Sequence, residues 1–253
     1  MSATEIVPTT ITAEQQAFYR DQGYLIIPGL LNAQDVADIR AIHTEATEKA
    51  RAALKPGEPV NGTLWEKEPD ADGQRVLRKV DDPFVNFEAF QRILTTRKVL
   101  GVVHDLLGPE LYYHSSKMMC KPPRVGRRKP WHQDYAYWDN MDPNQLTLWI
   151  AIDESTKENG CMQLIPESHK RGLIKHERLE DWQIREDGIA DERVLFAEMQ
   201  PGDGLFFDVL TLHASDPNNS DKRRLSAIID YQSKPETNGR SYGRTERLLP
   251  SDA

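Results

Sequence analysis

The chain reads as mainly β with flanking α: a jelly-roll/cupin-like antiparallel barrel buttressed by N-terminal helices. Three observations predict this. Helical periodicity is confined to roughly residues 12–107. From Leu111 onward, short apolar runs are cut by Gly and Pro turns and no helices alternate with them, the pattern of antiparallel sheets rather than of crossover units. A length of 253 residues suits one β-rich unit with added helices, so residues 1–253 are taken as a single domain.

In order, residues 1–11 read as a loose arm. Thr12-Ala-Glu-Gln15 is a capping box, which starts a helix that Gly23 should stop. Tyr24–Pro28 reads as a short strand. Asn32 caps a second helix over about 33–53, with Val36, Ile39, Ile42 and Ala46 at helical spacing and Pro56-Gly57 as its stop. Residues 56–76 are polar and turn-rich, a long loop at the mouth of a site. A third helix is expected over about 86–107, with Phe87, Phe90, Ile93, Leu94, Leu100, Val103 and Leu107 inward. The candidate strands are Leu111–Lys121, Leu146–Asp153, Cys161–Ile165, Val194–Met199, Gly204–Leu212 and Arg224–Gln232, with Pro201-Gly-Asp-Gly204 a turn signal between two of them. The charged segment 170–193 interrupts the strand rhythm and reads as a solvated face that could also serve as a lid, and 233–253 as a tail.

Forty acidic against 32 basic residues, a net charge of −8, speak against a nucleic-acid binder, which needs basic surface to displace counterions. No apolar run is long enough for a membrane helix, and the N-terminus lacks a secretory pattern. Cys120 and Cys161 make no disulfide framework. A cytoplasmic protein with reduced thiols is expected.

The chemistry is concentrated in Trp131-His-Gln-Asp134 and Leu212-His-Ala-Ser215. His132, Asp134 and the distant His213 have the layout of a two-histidine, one-carboxylate triad. Such a triad holds Fe(II) on one face and leaves the remaining positions open. Arg224 stands eleven residues beyond His213. On a strand, Arg224, Ser226 and Ile228 would look inward and Leu225, Ala227 and Ile229 outward. A buried guanidinium there suits the far carboxylate of 2-oxoglutarate through a two-pronged charged hydrogen bond. Tyr135, Tyr137 and Trp138 follow the His-x-Asp pair and are candidates for a substrate pocket. Lys117, Lys121, Arg124, Arg127, Arg128 and Lys129 form a run with no acid among them. It reads first as a solvated loop and second as a guide for an anionic substrate.

Over about residues 14–232 the chain resembles the phytanoyl-CoA dioxygenase family of Fe(II)/2-oxoglutarate-dependent oxygenases. The likeness is carried by Lys121-Pro-Pro, Pro130-Trp-His-Gln-Asp134, Leu148-Trp-Ile-Ala-Ile-Asp153, Glu158-Asn-Gly-Cys161, Ile165-Pro-Glu-Ser-His169 and His213-Ala-Ser215. One departure is Glu167, where the family often has Gly. The resemblance implies a double-stranded β-helix and iron ligation by His132, Asp134 and His213. It implies that Arg224 holds the cosubstrate's C5 carboxylate, helped by Gln133, Ser215 and Lys79, with Trp149 lining the pocket. It implies oxidation of a small organic substrate by O2 as 2-oxoglutarate becomes succinate and CO2. Related halogenases replace the ligand aspartate with a small residue, so Asp134 favours hydroxylation. The rival readings are a catalytically silent protein that kept the fold, and a cupin-like metal enzyme that does not use 2-oxoglutarate. Substrate and oligomeric state are left open.

Overall fold

The structure is a computed structural model describing residues 10–54, 64–70, 72–138, 142–235 and 247–248. Its N-terminal part comprises α1 (Ala13–Gln22), β1 (Tyr24–Ile27), α2 (Ala33–Ala52), β2 (Lys79–Asp81), α3 (Pro83–Asn86), α4 (Glu88–Leu94) and α5 (Arg97–Leu107). Both expected capping boxes form: Thr12 with Gln15, and Asn32 with Asp35. Gly23 closes α1 at φ +79°, and a Cβ there would meet the His169 ring at 2.4 Å, so glycine is required on both backbone and packing grounds. The expected 86–107 helix is three pieces. Phe87 is extended between α3 and α4. The Thr95 hydroxyl bonds the Gln91 carbonyl at 2.9 Å, and Thr96 caps α5 through Val99 N at 3.4 Å. Paired threonines bonding nearby backbone groups offer an alternative to continuing the helix.

The remaining strands are β3 (Tyr112–Lys121), β4 (Lys129–His132), β5 (Gln145–Ala151), β6 (Met162–Leu164), β7 (Glu177–Arg178), β8 (Trp182–Gln183), β9 (Leu195–Ala197), β10 (Gly204–Asp208), β11 (His213–Ser215) and β12 (Arg224–Gln232). One sheet has the order β1-β10-β5-β12-β3-β2 and a second has β4-β11-β6-β9, all antiparallel. Successive strands from β3 cross between the two sheets, except that β6 and β9 share the smaller one and enclose the β7-β8 hairpin. This is the double-stranded β-helix. Among the described residues no strand pairing joins the sheets, so the core is two sheets face to face rather than a closed barrel.

Period-2 alternation decides which side chains reach the space between the sheets. Leu146, Leu148 and Ile150 of β5 and Leu225, Ala227, Ile229 and Tyr231 of β12 pack with Ile39, Phe90, Ile93 and Val103 of the helices. Their neighbours Trp149, Leu205, Phe207 and Ile228 turn the other way and pack with Met162, Leu164 and Ala197 of the smaller sheet. The helices therefore cover one face of the large sheet and leave the other to build a site.

Several boundaries differ from expectation. The apolar run from Gly204 ends at Asp208, whose carboxylate accepts from Leu210 N at 2.8 Å; a turn follows, and His213 opens a strand of the other sheet instead of ending this one. β2 and β4 lie in segments too polar to read as strands. The last residues of the expected loose arm are pinned, with Thr10 and Ile11 amides donating to Asp105 at 2.6 and 3.1 Å. The first part of the segment expected to be a mouth loop and most of the C-terminal tail lie outside the described residues. Where described, they hold a Trp65–Leu77 bridge and a Tyr112–Arg247 bridge. Among the described residues no helix is long and apolar enough to cross a membrane.

Candidate metal and cosubstrate site

β4 and β11 pair so that His132 and His213 are direct cross-strand partners. This closes 80 residues of intervening chain and sets the two rings 4.2 Å apart, centre to centre. Asp134 follows at the start of a short 3-10 turn (Asp134–Tyr137). The Asp134 Oδ1 lies 3.7 Å from Nε2 of each histidine. The ligand atoms of all three residues fall within 4.8 Å of one another, and all three are buried. Each histidine uses Nδ1 to bond a backbone carbonyl two residues earlier, Pro130 at 2.8 Å and Thr211 at 3.0 Å. That contact assigns the proton to Nδ1 and leaves the Nε2 lone pairs facing the shared point, the tautomer a metal ligand needs.

Electrostatics favour the same state. Burial above all, then His213 and Lys129, hold His132 well below its ordinary value; burial also lowers His213. Burial pushes Asp134 up, but His213, Lys117 and the Thr147 hydroxyl outweigh it, and the carboxyl sits below its usual range. Two neutral imidazoles and one carboxylate are a donor set suited to Fe(II).

The triad opens into a cavity of about 1010 Å³, at the upper end for small-molecule sites. At one end stands Arg224, fully inside, with Cζ 5.2 Å from the Trp149 ring centre. Its Nη1 donates to Gly160 O at 2.7 Å, while its Nε is buried with no hydrogen-bond partner in the structure. Burial lowers the guanidinium to about 10, which keeps it cationic at neutral pH. A buried cation with an unsatisfied donor calls for an anion, and a carboxylate of 2-oxoglutarate fits that need.

The other expected residues divide. Ser215, Lys79 and Trp149 line the cavity with Arg224, as do Tyr137 and Trp138. Lys79 is ion-paired with Asp81 at 2.5 Å. Tyr137 accepts from Lys129 and donates to Trp182 O, at 2.8 and 3.0 Å. Gln133 is not brought to the cavity. Its amide nitrogen donates to Gly172 O and Leu210 O, and its oxygen accepts from Ile174 N. It fastens the ligand segment to two distant loops, and every polar atom of the side chain is spent on them. Tyr135 is likewise absent from the cavity wall. Of the six basic residues read first as a solvated loop, Lys117, Lys121, Arg127 and Lys129 line the cavity. Arg124 and Arg128 point outward to Asp221 and to Glu180 and Glu186. Asp181 brings the expected lid to the wall.

Sequence reasoning missed three contributors. Thr147 hydrogen-bonds Asp134 Oδ2 at 2.9 Å and the buried Asp230 Oδ1 at 2.8 Å. Glu66, 1% exposed, pairs with Arg127 at 2.7 Å and Arg78 at 3.8 Å. Gly160, at φ +79°, presents the carbonyl that Arg224 uses. The inward alternation of β3 and β5 was the available signal for Lys117 and Thr147; nothing local marked Glu66.

A double-stranded β-helix carrying this triad beside a buried guanidinium defines a class, the Fe(II)/2-oxoglutarate-dependent oxygenases. The phytanoyl-CoA dioxygenase (PhyH) family profile matches residues 19–226. The chain is 30% identical, over 94% of its length and 86% of the other, to a probable alpha-ketoglutarate-dependent hypophosphite dioxygenase of Stutzerimonas stutzeri. It is 29% identical to the ectoine dioxygenase of Stutzerimonas stutzeri strain A1501, over 87% and 76% of the two chains. The crystal structure of EctD from S. alaskensis with bound Fe matches with a TM-score of 0.75 at 22% identity, over 96% and 88% of the chains. EctD with 2-oxoglutarate and 5-hydroxyectoine gives 0.73 at 23%, over 89% and 77%. The chain belongs to the phytanoyl-CoA dioxygenase family.

Proposed function

We propose that the chain acts as one oxygenase domain that hydroxylates, or otherwise oxidises, a small molecule with Fe(II), 2-oxoglutarate and O2, releasing succinate and CO2. The observation that carries this is the convergence of His132 Nε2, His213 Nε2 and Asp134 within 4.8 Å, in the same cavity as the unsatisfied Nε of Arg224. When bound, the iron would activate O2, the oxidant, and the keto acid would supply two of the electrons that O2 takes up, chemistry that no side chain provides.

The residues of the chain have the following roles. His132, Asp134 and His213 hold the metal, with their orientation set by Pro130 O, Thr147 and Thr211 O. Arg224 binds the far carboxylate of the cosubstrate, the Trp149 ring packs beneath the guanidinium, and Ser215 and Lys79 help seat it. Tyr137 and Trp138 bound the substrate space, and the two sheets exclude bulk water. Seven Lys and Arg but four Asp line the cavity, in a chain of net charge −8; this supports an anionic substrate. Two buried free thiols, Cys120 and Cys161, support a reducing, cytoplasmic setting.

The test is succinate formation from 2-oxoglutarate by the Fe(II)-loaded protein. Turnover is expected in the wild type, and Arg224→Met should raise the 2-oxoglutarate requirement at least tenfold. Metal binding without any cosubstrate consumption would favour the silent-protein reading. Turnover indifferent to 2-oxoglutarate would favour a cupin-like metal enzyme.

A further inference from the structure

The cavity's basic side chains are not equivalent. Six of the seven already have partners. Lys79 pairs with Asp81, and Arg78 and Arg127 with Glu66. Lys129 bonds Asp181 and Tyr137. Lys121 donates to the backbone carbonyls of Ser215 and Asp216, and Arg224 to that of Gly160. Lys117 is the exception: among the described residues its ammonium has neither a hydrogen-bond acceptor nor an ion-pair partner, although it lines the cavity.

Its position is set by strand register. After the irregularity between Asp230 and Tyr231, β3 runs opposite β12 with Ser115 facing Asp230 and Lys117 facing Ile228. Ser115 and Lys117 share the inward face, two residues or about 7 Å apart. Asp230, whose field reaches Lys117, accepts from the Ser115 hydroxyl at one oxygen and at the other shares the single Thr147 proton with Asp134. Asp134 faces the shared metal point with the two histidines, its Oδ1 3.7 Å from each Nε2 and its Oδ2 against the Thr147 hydroxyl. Burial pushes the Lys117 ammonium down, but the fields of Asp230, Asp134 and Asp81 outweigh it and hold the group above its ordinary value. It is therefore a cation facing the same space as the metal ligands.

We infer that Lys117 anchors the anionic group of the substrate, a carboxylate or a phosphorus oxyanion, beside the open face of the metal. This deepens the function proposed above and rests on it, because it is the assignment of Arg224 to the cosubstrate that leaves Lys117 for the substrate. An ammonium with three donors and no protein acceptor gains most from an oxyanion, and least from a neutral or cationic molecule. Arg224, whose free Nε is assigned to the cosubstrate, stands apart; the other five cavity cations would have to break an existing contact to serve the same end.

The test uses the full chain loaded with Fe(II) under argon and calorimetric titration. 2-Oxoglutarate is titrated first; then hypophosphite, phosphite, acetate and propionate, with acetamide and propionamide as neutral counterparts. At least one anion should bind the wild type well above the amides. It should bind Lys117→Met at least tenfold more weakly, and Lys117→Arg should recover most of the loss. Which arm responds, phosphorus or carboxylate, identifies the source of the charge. Equal anion affinity in Lys117→Met, amides that bind as well as acids, or no anion binding to the wild type would each overturn the inference. Absence of 2-oxoglutarate binding in the wild type would instead take down the proposed function, and this inference with it. Thermal melts of both variants separate loss of the anchor from loss of the fold.

Discussion

Replacing Thr147 with valine removes one hydroxyl and should cost much of the metal affinity. Thr147 is 1% exposed at the second inward position of β5, and its Oγ1 lies 2.9 Å from Asp134 Oδ2 and 2.8 Å from Asp230 Oδ1. Valine keeps the β-branched shape and the strand rotamer, so the perturbation is chemical rather than steric. A hydrogen bond to a charged group is worth roughly 1.5–3 kcal/mol. The hydroxyl carries a single proton and can donate to only one carboxylate at a time, so the loss is counted once. Asp134 then faces a methyl group on one side and loses the contact that fixes its rotation. The partners that orient metal ligands typically account for about 10–100-fold in affinity, or about 1.4–2.7 kcal/mol, which matches the hydrogen-bond figure. Competition with a chelator under anaerobic conditions measures the dissociation constant for Fe(II) or Co(II), and Thr147→Ser should restore it to within about threefold. A Thr147→Val protein with native circular dichroism and metal affinity within twofold of wild type would refute the reasoning.

Gly160→Ala should weaken 2-oxoglutarate binding and lower the melting temperature together. The added Cβ would sit 2.3 Å from Asp216 O, and any shift moves the carbonyl that bonds Arg224; unchanged cosubstrate affinity would argue against the coupling. His43 should make stability fall with acid. Burial, then Arg223, lower it from 6.5 to about 4, so below pH 6.5 the unfolded chain takes up a proton the folded one refuses. This contribution is complete above pH 6.5 and declines towards pH 4, by about 3 kcal/mol in all. Urea titrations of His43→Leu should show that part of the slope gone. Glu167→Gly should stabilise the protein by about 1 kcal/mol, because Glu167 sits at φ +65°, a conformation glycine adopts without the Cβ clash. Its lost pair with Lys170 is exposed and contributes little. Denaturant midpoints compare the two.

The identity of the ligands was legible because it is local: His-x-Asp and a later His name their chemistry wherever they fold. So were the capping boxes of α1 and α2 and the two faces of β12, each carried by residues a few positions apart. Gln133 illustrates the limit. Its neighbours in sequence are metal ligands, but its amide partners lie 39, 41 and 77 residues away, and no local pattern announces them. Lys117 to Lys129 looked like a solvated run because charge usually seeks water. Only the pairing of β3 with β12, and of Arg127 with a buried Glu66, shows that most of it faces inward. Thr147 was hidden in an apolar strand, where a threonine reads as filler.

The amino-acid order by itself determined the donor atoms, the alternation that sends Arg224 inward, and the division into helical and β halves, since each depends on spacings of one to four residues. Tertiary structure decided what those atoms do together. The antiparallel register that sets His213 opposite His132 and the competition for Asp230 that leaves Lys117 without a partner among the described residues both arise from contacts across 80 residues or more. Convergence of that kind is fixed by which strands pair and in what register, a property of the whole packed chain that no short window contains.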